Sequence, residues 1–167
     1  MKQKIFLAII LAIVCSFITK PFAYNFSTVD PLTGGDGTKP EKTTATFQKP
    51  KGKATSNSYL ISGPKSAIRL KIKEAVFNAY PDKSSSTLDP SLYIMLYKVA
   101  VGKTDRSLTM NPDGSSPMYI PVTITKPDGY TIRISPSMAM LPGEYVLVDK
   151  TTTTSEGNVT IWTFGID

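Results

Sequence analysis

Three observations predict an all-β fold, an antiparallel β-sandwich of immunoglobulin-like type with about nine short strands. Apolar and polar residues alternate with period two in several runs. Turn residues punctuate those runs at short intervals. No apolar pattern of helical period breaks the series. Regular short strands divided by turns favour a sandwich first and a barrel second.

Before the strands comes a different kind of sequence. Lys2 and Lys4 precede an apolar run from Ile5 to Ile18, and Pro21-Phe22-Ala23 ends on a small residue, so residues 1–23 read as a secretory signal peptide cut near Ala23-Tyr24. The apolar run is shorter than the roughly 20 residues that cross a hydrocarbon core, which argues against a retained transmembrane segment. The protein is therefore expected to be exported, to the periplasm, the cell surface or the medium. Cys15, the only cysteine, follows Val14 rather than a small residue and precedes Phe17 and Ile18, which argues against a lipid anchor. Tyr24 to Ser58 is dominated by Thr, Ser, Lys, Pro and Gly, too polar to offset the entropy of ordering it, and reads as a flexible leader with a weak strand at Thr44 to Gln48.

The β domain is expected over residues 59–167. Tyr59 to Ser62 is its first strand. Ala67 to Lys73 alternates Ile68, Leu70 and Ile72 with Arg69, Lys71 and Lys73, the pattern of a half-buried strand. Val76 to Tyr80 follows. Leu92 to Val101 is apolar on both faces, as a central strand is, although Asp89-Pro90 before it also resembles a helix N-cap with Pro at the first position. Arg106 to Met110 is next. Residues 118–125 and 130–135 form a hairpin around Lys126-Pro127-Asp128-Gly129, where Pro presets φ and Gly takes the left-handed position. Tyr145 to Asp149 and Val159 to Phe164 are the last two, divided by a turn at Glu156-Gly157. The apolar end Ile161 to Asp167 predicts a paired terminal strand.

Composition excludes much chemistry. Removing the signal peptide leaves 144 residues with neither His nor Cys, hence no imidazole base or ligand, no thiol nucleophile and no disulfide. The loss of Lys2, Lys4 and Lys20 takes Lys and Arg from 19 to 16 against 13 Asp and Glu, a net charge of +3 instead of +6. With Arg69, Arg106 and Arg133 as the only arginines, nucleic acid is not expected as a partner. Ser62-Gly63-Pro64-Lys65 has the Ser-x-x-Lys spacing of penicillin-binding enzymes, but Pro64 opposes the helix that chemistry needs, so a loop is the better reading. Gly102-Lys103-Thr104 lacks the earlier glycine of a phosphate loop, Tyr97 standing there. Asp30 to Glu41 carries a fragment of a calcium loop with Leu32 and Gly34 at two ligand positions, which leaves too few oxygens. Asn25-Phe26-Ser27 and Asn158-Val159-Thr160 are glycosylation acceptor patterns in a eukaryotic host.

Leu141-Pro142-Gly143-Glu144-Tyr145 resembles the tyrosine corner of β-sandwiches, where a phenol bonds back across a loop. That turn is one of four short pieces that together resemble a group of proteins. With Ser62-Gly63-Pro64-Lys65-Ser66, Arg106-x-Leu108 and the terminal Phe164-Gly165-Ile166-Asp167, it makes residues 60–167 similar to uncharacterised secreted bacterial β-sandwich domains. The resemblance implies architecture and brings no catalytic residue with it.

The function expected is therefore an exported, non-enzymatic binding or accessory module of the cell envelope, with an envelope protein or a glycan as partner. No catalytic, cofactor-binding or metal-ligating residue is assigned, and no cofactor is expected. Tyr80, Tyr93, Tyr97, Tyr119, Tyr130 and Trp162 would form a stacking platform if exposed on one face, though filling the core is the commoner fate of such residues. Arg69, Lys71 and Lys73 would give a basic strand face, able to meet an acidic partner or simply to discourage edge pairing. Two alternatives stand beside this. One is a structural subunit associating by β-strand addition, with the segment carrying Phe47 as the donated strand. The other is a carboxylate-dependent glycan hydrolase, which Glu74, Asp82, Asp89, Asp105, Glu144 and Asp149 support poorly, being dispersed like solvated strand-end charges.

Overall fold

A computed structural model describes residues 24–50, 52, 55–81, 89–111 and 113–167. The expected signal peptide, with Cys15, and Asp82 lie outside the described residues. The chain is all-β. Its strands are β1 Tyr24–Thr28, β2 Glu41–Gln48, β3 Asn57–Ser62, β4 Arg69–Leu70, β5 Phe77–Pro81, β6 Ile94–Lys98, β7 Ala100–Val101, β8 Asp105–Met110, β9 Tyr119–Ile120, β10 Val122–Thr125, β11 Ile132–Pro136, β12 Gly143–Asp149 and β13 Val159–Ile166. Among the described residues these are thirteen, where about nine were expected. Single 3-10 turns at Ile72–Glu74, Pro90–Leu92 and Lys150–Thr152 complete the regular structure.

The strands divide into two sheets. A four-stranded sheet runs β1-β5-β11-β10, and a larger one runs β7-β8-β3-β2-β13-β12-β6-β9 with β4 added beside β13. Pairing is antiparallel except between β4 and β13. Only Val99 separates β6 from β7, yet β6 bonds β12 while β7 bonds β8. The two ends of the path therefore meet on one extended segment, and the large sheet curls as a half-barrel.

Curling gives its central strands two buried faces. Ala45, Ile61, Tyr97, Val99, Leu108, Val146, Val148 and Ile161 fill the inside of the curl. The alternate residues Leu96, Tyr145, Leu147, Trp162, Phe164 and Ile166 pack instead with Phe26, Phe77, Ala79, Ile132 and Ile134 of the small sheet. Period-two alternation places both sets, since neighbouring side chains on a strand leave opposite faces. Phe164 shows the packing: its ring lies 4.9 Å from Phe77 and stacks on Tyr145 at 5.7 Å. Burial inside the curl pushes the Tyr97 phenol up to about 12.

Four expectations need correction. The described parts of Tyr24 to Ser58 do not stand apart from the domain: β1 pairs with β5, and β2 sits between β13 and β3. Backbone pairing on both sides holds β2, so the one fully buried side chain in it, Ala45, suffices. The strand expected over Ala67 to Lys73 shrinks to Arg69–Leu70, because the Glu74 carboxylate accepts from Lys71 N–H at 3.1 Å and closes a turn. Asp89 does cap a turn, accepting from Ser91 N–H, but the turn ends at Leu92 and the strand begins at Ile94. Residues 118–125 split at Pro121, β9 joining β6 in the large sheet and β10 joining β11 in the small one. A proline has no N–H for a ladder, so the split falls there.

The hairpin, the tyrosine-led turn and the paired terminus form as expected. β10 and β11 pair around a turn in which Gly129 has φ +80° and Asp128 accepts from the Tyr130 and Thr131 N–H groups. Those bonds, with that from the Thr131 hydroxyl, hold the Asp128 carboxyl at about 2. The Tyr145 hydroxyl donates to the Leu141 carbonyl.

Candidate functional site

Where the chain leaves the small sheet and crosses to the large one, the two sheets part. The gap is a cleft of about 240 Å³ lined by Asn25, Phe26 and Ser27 of β1, Lys39 and Pro40 of the crossing, Lys42 of β2, and Asp36, Tyr80 and Trp162. Trp162 is its floor, with only 3 % of its surface exposed. The Phe26 ring meets the indole edge-on at 4.6 Å, and Lys42 Nζ lies over the indole at 5.4 Å from its centroid. The fourth wall is polar. Asp36 Oδ1 accepts from Ser27 Oγ at 2.6 Å, Tyr80 OH at 2.7 Å and Asn78 Nδ2 at 3.2 Å. Partial burial opposes ionisation of Asp36, but these three donors and the nearby Lys39 charge outweigh it and hold the carboxyl below its usual range. The bond to Asp36 in turn raises the Tyr80 phenol.

Backbone geometry adds a second recognition element. Tyr24 N–H bonds Asp149 and Thr28 N–H bonds the Thr38 carbonyl, both on the side of β1 away from β5. Phe26, two residues from each, turns its own N–H and C=O to that same side, because alternate residues of a strand address the same edge. Among the described strands, β5 alone pairs with β1, so the Phe26 peptide edge faces the cleft.

The remaining aromatics scatter. Tyr97 lies inside the curl and meets Tyr119 edge-on at 5.8 Å, while Tyr130 stands 88 % exposed at the tip of the small hairpin. Tyr119 also lines a separate apolar groove of about 340 Å³ with Met118, Met138, Met140 and Leu141. Of the six aromatics singled out in the sequence, the cleft unites Tyr80 and Trp162.

Of the carboxylates expected as solvated strand-end charges, Asp89 is exposed and Glu74 and Asp105 are half-buried, but Glu144 and Asp149 are buried. Glu144, 4 % exposed, pairs with Arg69 and with Arg106 Nη1 at 3.4 Å, and accepts from Ser66 N–H at 2.8 Å. Arg106, 2 % exposed, also donates to the carbonyls of Gly63 at 3.0 Å and Ser62 at 3.1 Å. Burial lowers the Arg106 guanidinium, opposed by Glu144 and Glu41. Arg69 continues to Asp167 at 2.6 Å, lying so close over Gly165 that any Cβ there would collide with the guanidinium. Arg69 is thus committed to carboxylates, and the basic strand face is reduced to exposed Lys71 and Lys73 on a turn. Ser62 to Ser66, Arg106 to Leu108, Leu141 to Tyr145 and Phe164 to Asp167 meet at this node, in the framework and away from the cleft. Ser62 ends β3 and Gly63 to Lys65 are bends, not a helical turn, with Gly63 at φ +79°. Asp30 and Glu41, the ends of the calcium-like window, serve different partners: Asp30 accepts from Leu32 N–H, Glu41 from Ser66 Oγ and Thr163 Oγ1.

Asn25, Ser27, Asp36, Lys39 and Lys42 were not legible as site residues, since they sit in the stretch read as a leader. Asn25-Phe26-Ser27 carried a signal there, as an acceptor pattern, and the calcium-like window over Asp30 to Glu41 spanned Asp36 and Lys39. Compared with protein-family models, curated proteins and solved structures, the chain matches none.

Proposed function

We propose that this chain is an exported, non-enzymatic binding module of the cell envelope, built as a sandwich whose larger layer curls, and that its cleft takes a glycan unit carrying an acetamido group. One observation carries the reading: an aromatic floor, a peptide edge that no described strand pairs, and an oriented carboxylate converge in the same cleft. An acetamido group has one donor, one acceptor and a methyl. The Phe26 N–H and C=O complement the first two, and the Trp162 and Phe26 rings complement the third. Ring hydroxyls then find Asp36, held in place by Ser27, Tyr80 and Asn78, and the Lys39 ammonium. A cleft near 240 Å³ is smaller than the roughly 300–1,000 Å³ of drug-sized sites, which suits one sugar unit and not a chain. The binding reading is favoured over hydrolysis by what the buried carboxylates already do. Glu144 is spent on two arginines, and Asp149 on backbone and hydroxyl donors.

Calorimetry with chitotriose, using cellotriose as the control lacking acetamido groups, tests this. Chitotriose should bind in the micromolar to millimolar range, at least tenfold more tightly than cellotriose. Tyr80→Ala and Asp36→Asn, both at the rim, should each weaken it tenfold or more. Equal binding of the two sugars, or binding indifferent to both substitutions, defeats the reading.

Strand addition remains a second reading, moved to another part of the molecule. The segment carrying Phe47 is already an internal strand, but β9 ends the large sheet beside the apolar groove where Met138 and Leu141 are 59 % and 66 % exposed. Size-exclusion chromatography of the mature protein decides it: concentration-dependent association abolished by Leu141→Lys supports it, and a monomer throughout removes it.

A further inference from the structure

Asp149 is a carboxylate with no exposed surface at the end of β12. Its two oxygens do different jobs. Oδ1 accepts from the Thr151 N–H at 2.9 Å and the Thr151 hydroxyl at 2.6 Å, closing the turn that follows. Oδ2 reaches 125 residues back and accepts from the main-chain nitrogen of Tyr24 at 3.1 Å. That nitrogen belongs to the bond at which the sequence places the signal-peptide cut. While the bond is intact it is an amide N–H, a neutral donor. Burial then pushes the Asp149 carboxyl up, with the bonds from Thr151 and Tyr24 and the charge of Lys42 opposing it. A buried carboxylate without a cation in contact is costly.

We propose that cleavage after Ala23 turns the Tyr24 nitrogen into an α-ammonium that pairs with buried Asp149, so that export completes the fold by creating a cation where the structure already holds its counter-charge. The step balances. A signal peptidase uses one water to break the Ala23 carbonyl–Tyr24 nitrogen bond. Hydroxyl goes to the Ala23 carbonyl and hydrogen to the Tyr24 nitrogen, which takes a further proton from solvent at neutral pH. No movement is required, because donor and acceptor are already within bonding distance. What changes is the charge on the donor: a bond from a neutral amide to the carboxylate becomes an ion pair, with a Coulombic attraction that an amide does not supply. The place is also structurally useful: β1 is an edge strand of the small sheet, and its first residue becomes tied to the end of β12 in the large one. The uncut precursor lacks this tie in its charged form and is correspondingly easier to hold unfolded for export.

The inference rests on the export reading but not on what the cleft binds. Its test begins with the intact mass of the exported protein, which should start at Tyr24. The chain beginning at Tyr24 is then compared with the same chain acetylated on its α-amine. Acetylation should raise the unfolding constant roughly tenfold or more, as expected when a buried pair loses one charge, and Asp149→Asn should erase the difference between the two forms. If Asp149→Asn does not fold, the native α-amine itself reports: it should react with an N-hydroxysuccinimide ester at least tenfold more slowly than in urea. A terminus elsewhere overturns the cut site and the pair together. A Tyr24 terminus with equal stability of the two forms, or with an amine as reactive folded as unfolded, overturns the pair alone.

Discussion

Arg106→Met should destabilise the protein by about 3–5 kcal/mol, the cost of breaking a buried ion pair by removing one partner. The structure says how that figure arises. The guanidinium serves three acceptors: Gly63 O at 3.0 Å, Ser62 O at 3.1 Å and Glu144 Oε2 at 3.4 Å. Removing it frees two carbonyls on exposed Ser62 and half-buried Gly63, where water can take up part of the lost bonding, so each costs toward the low end of the roughly 1–3 kcal/mol of an unpaired buried group. Glu144 suffers less, because Arg69 and Ser66 N–H still hold it. Both losses are partial, so the total falls nearer about 3 than about 5 kcal/mol. Against a total stability of roughly 5–15 kcal/mol this is a large fraction. Urea unfolding followed by far-ultraviolet circular dichroism at pH 7 should show the midpoint falling by about 1–3 M, at a slope of about 1–3 kcal/mol/M. Arg106→Met combined with Glu144→Met should cost less than the two singles added, since the double variant buries no uncompensated charge. A single variant whose midpoint stays within about 0.3 M of the parent refutes the node as a determinant of the fold.

Tyr145→Phe should lose about 1 kcal/mol, the net worth of its bond to the Leu141 carbonyl, and leave the spectrum unchanged; a loss above about 3 kcal/mol in urea titration would mean the ring itself had shifted. Deleting residues 24–48 should abolish cooperative unfolding, because it removes an edge strand of one sheet and an internal strand of the other; a truncated chain that melts like the parent would restore the leader reading. Tyr97 has a raised phenol in the folded state, so its contribution is complete below the unfolded value near 10 and is lost as pH rises toward about 12. Stability measured between those values should fall, and Tyr97→Phe should shrink the fall; an equal decline in both proteins would count against the buried assignment.

How much of this could be read from residues alone varied by element, for physical reasons. The β10–β11 hairpin was legible because its turn chemistry is local: Pro127, Asp128 and Gly129 fix the chain within four residues. The Tyr145 bond was legible for the same reason, spanning four residues. β2 was legible only as a weak strand over Thr44 to Gln48; its full extent depends on pairing with β3 and with distant β13, and on bonds spanning 111 and 122 residues, from Phe47 N–H to Asn158 and from Thr163 to Glu41. Ala67 to Lys73 misled because period-two alternation can also arise over a short strand and a turn. The burial of Glu144 and Asp149 was invisible for a similar reason. A carboxylate on a strand reads as solvent-facing until its partners are known, and those partners lie 75, 38 and 125 residues away. The cleft was half legible: aromatic character flagged Tyr80 and Trp162, while the peptide edge of Phe26 is a property of sheet topology that no residue type encodes.

The most direct measurement is a chitotriose titration followed by proton–nitrogen correlation spectra of the uniformly labelled mature protein. The Phe26 amide and the Trp162 indole N–H should shift together, saturably and with one dissociation constant, with the Tyr119 amide at the distant apolar groove unmoved. Spectra that stay still at millimolar sugar, or shifts that gather around Tyr119 and Leu141 instead, would show that the cleft between the sheets is not where this protein binds.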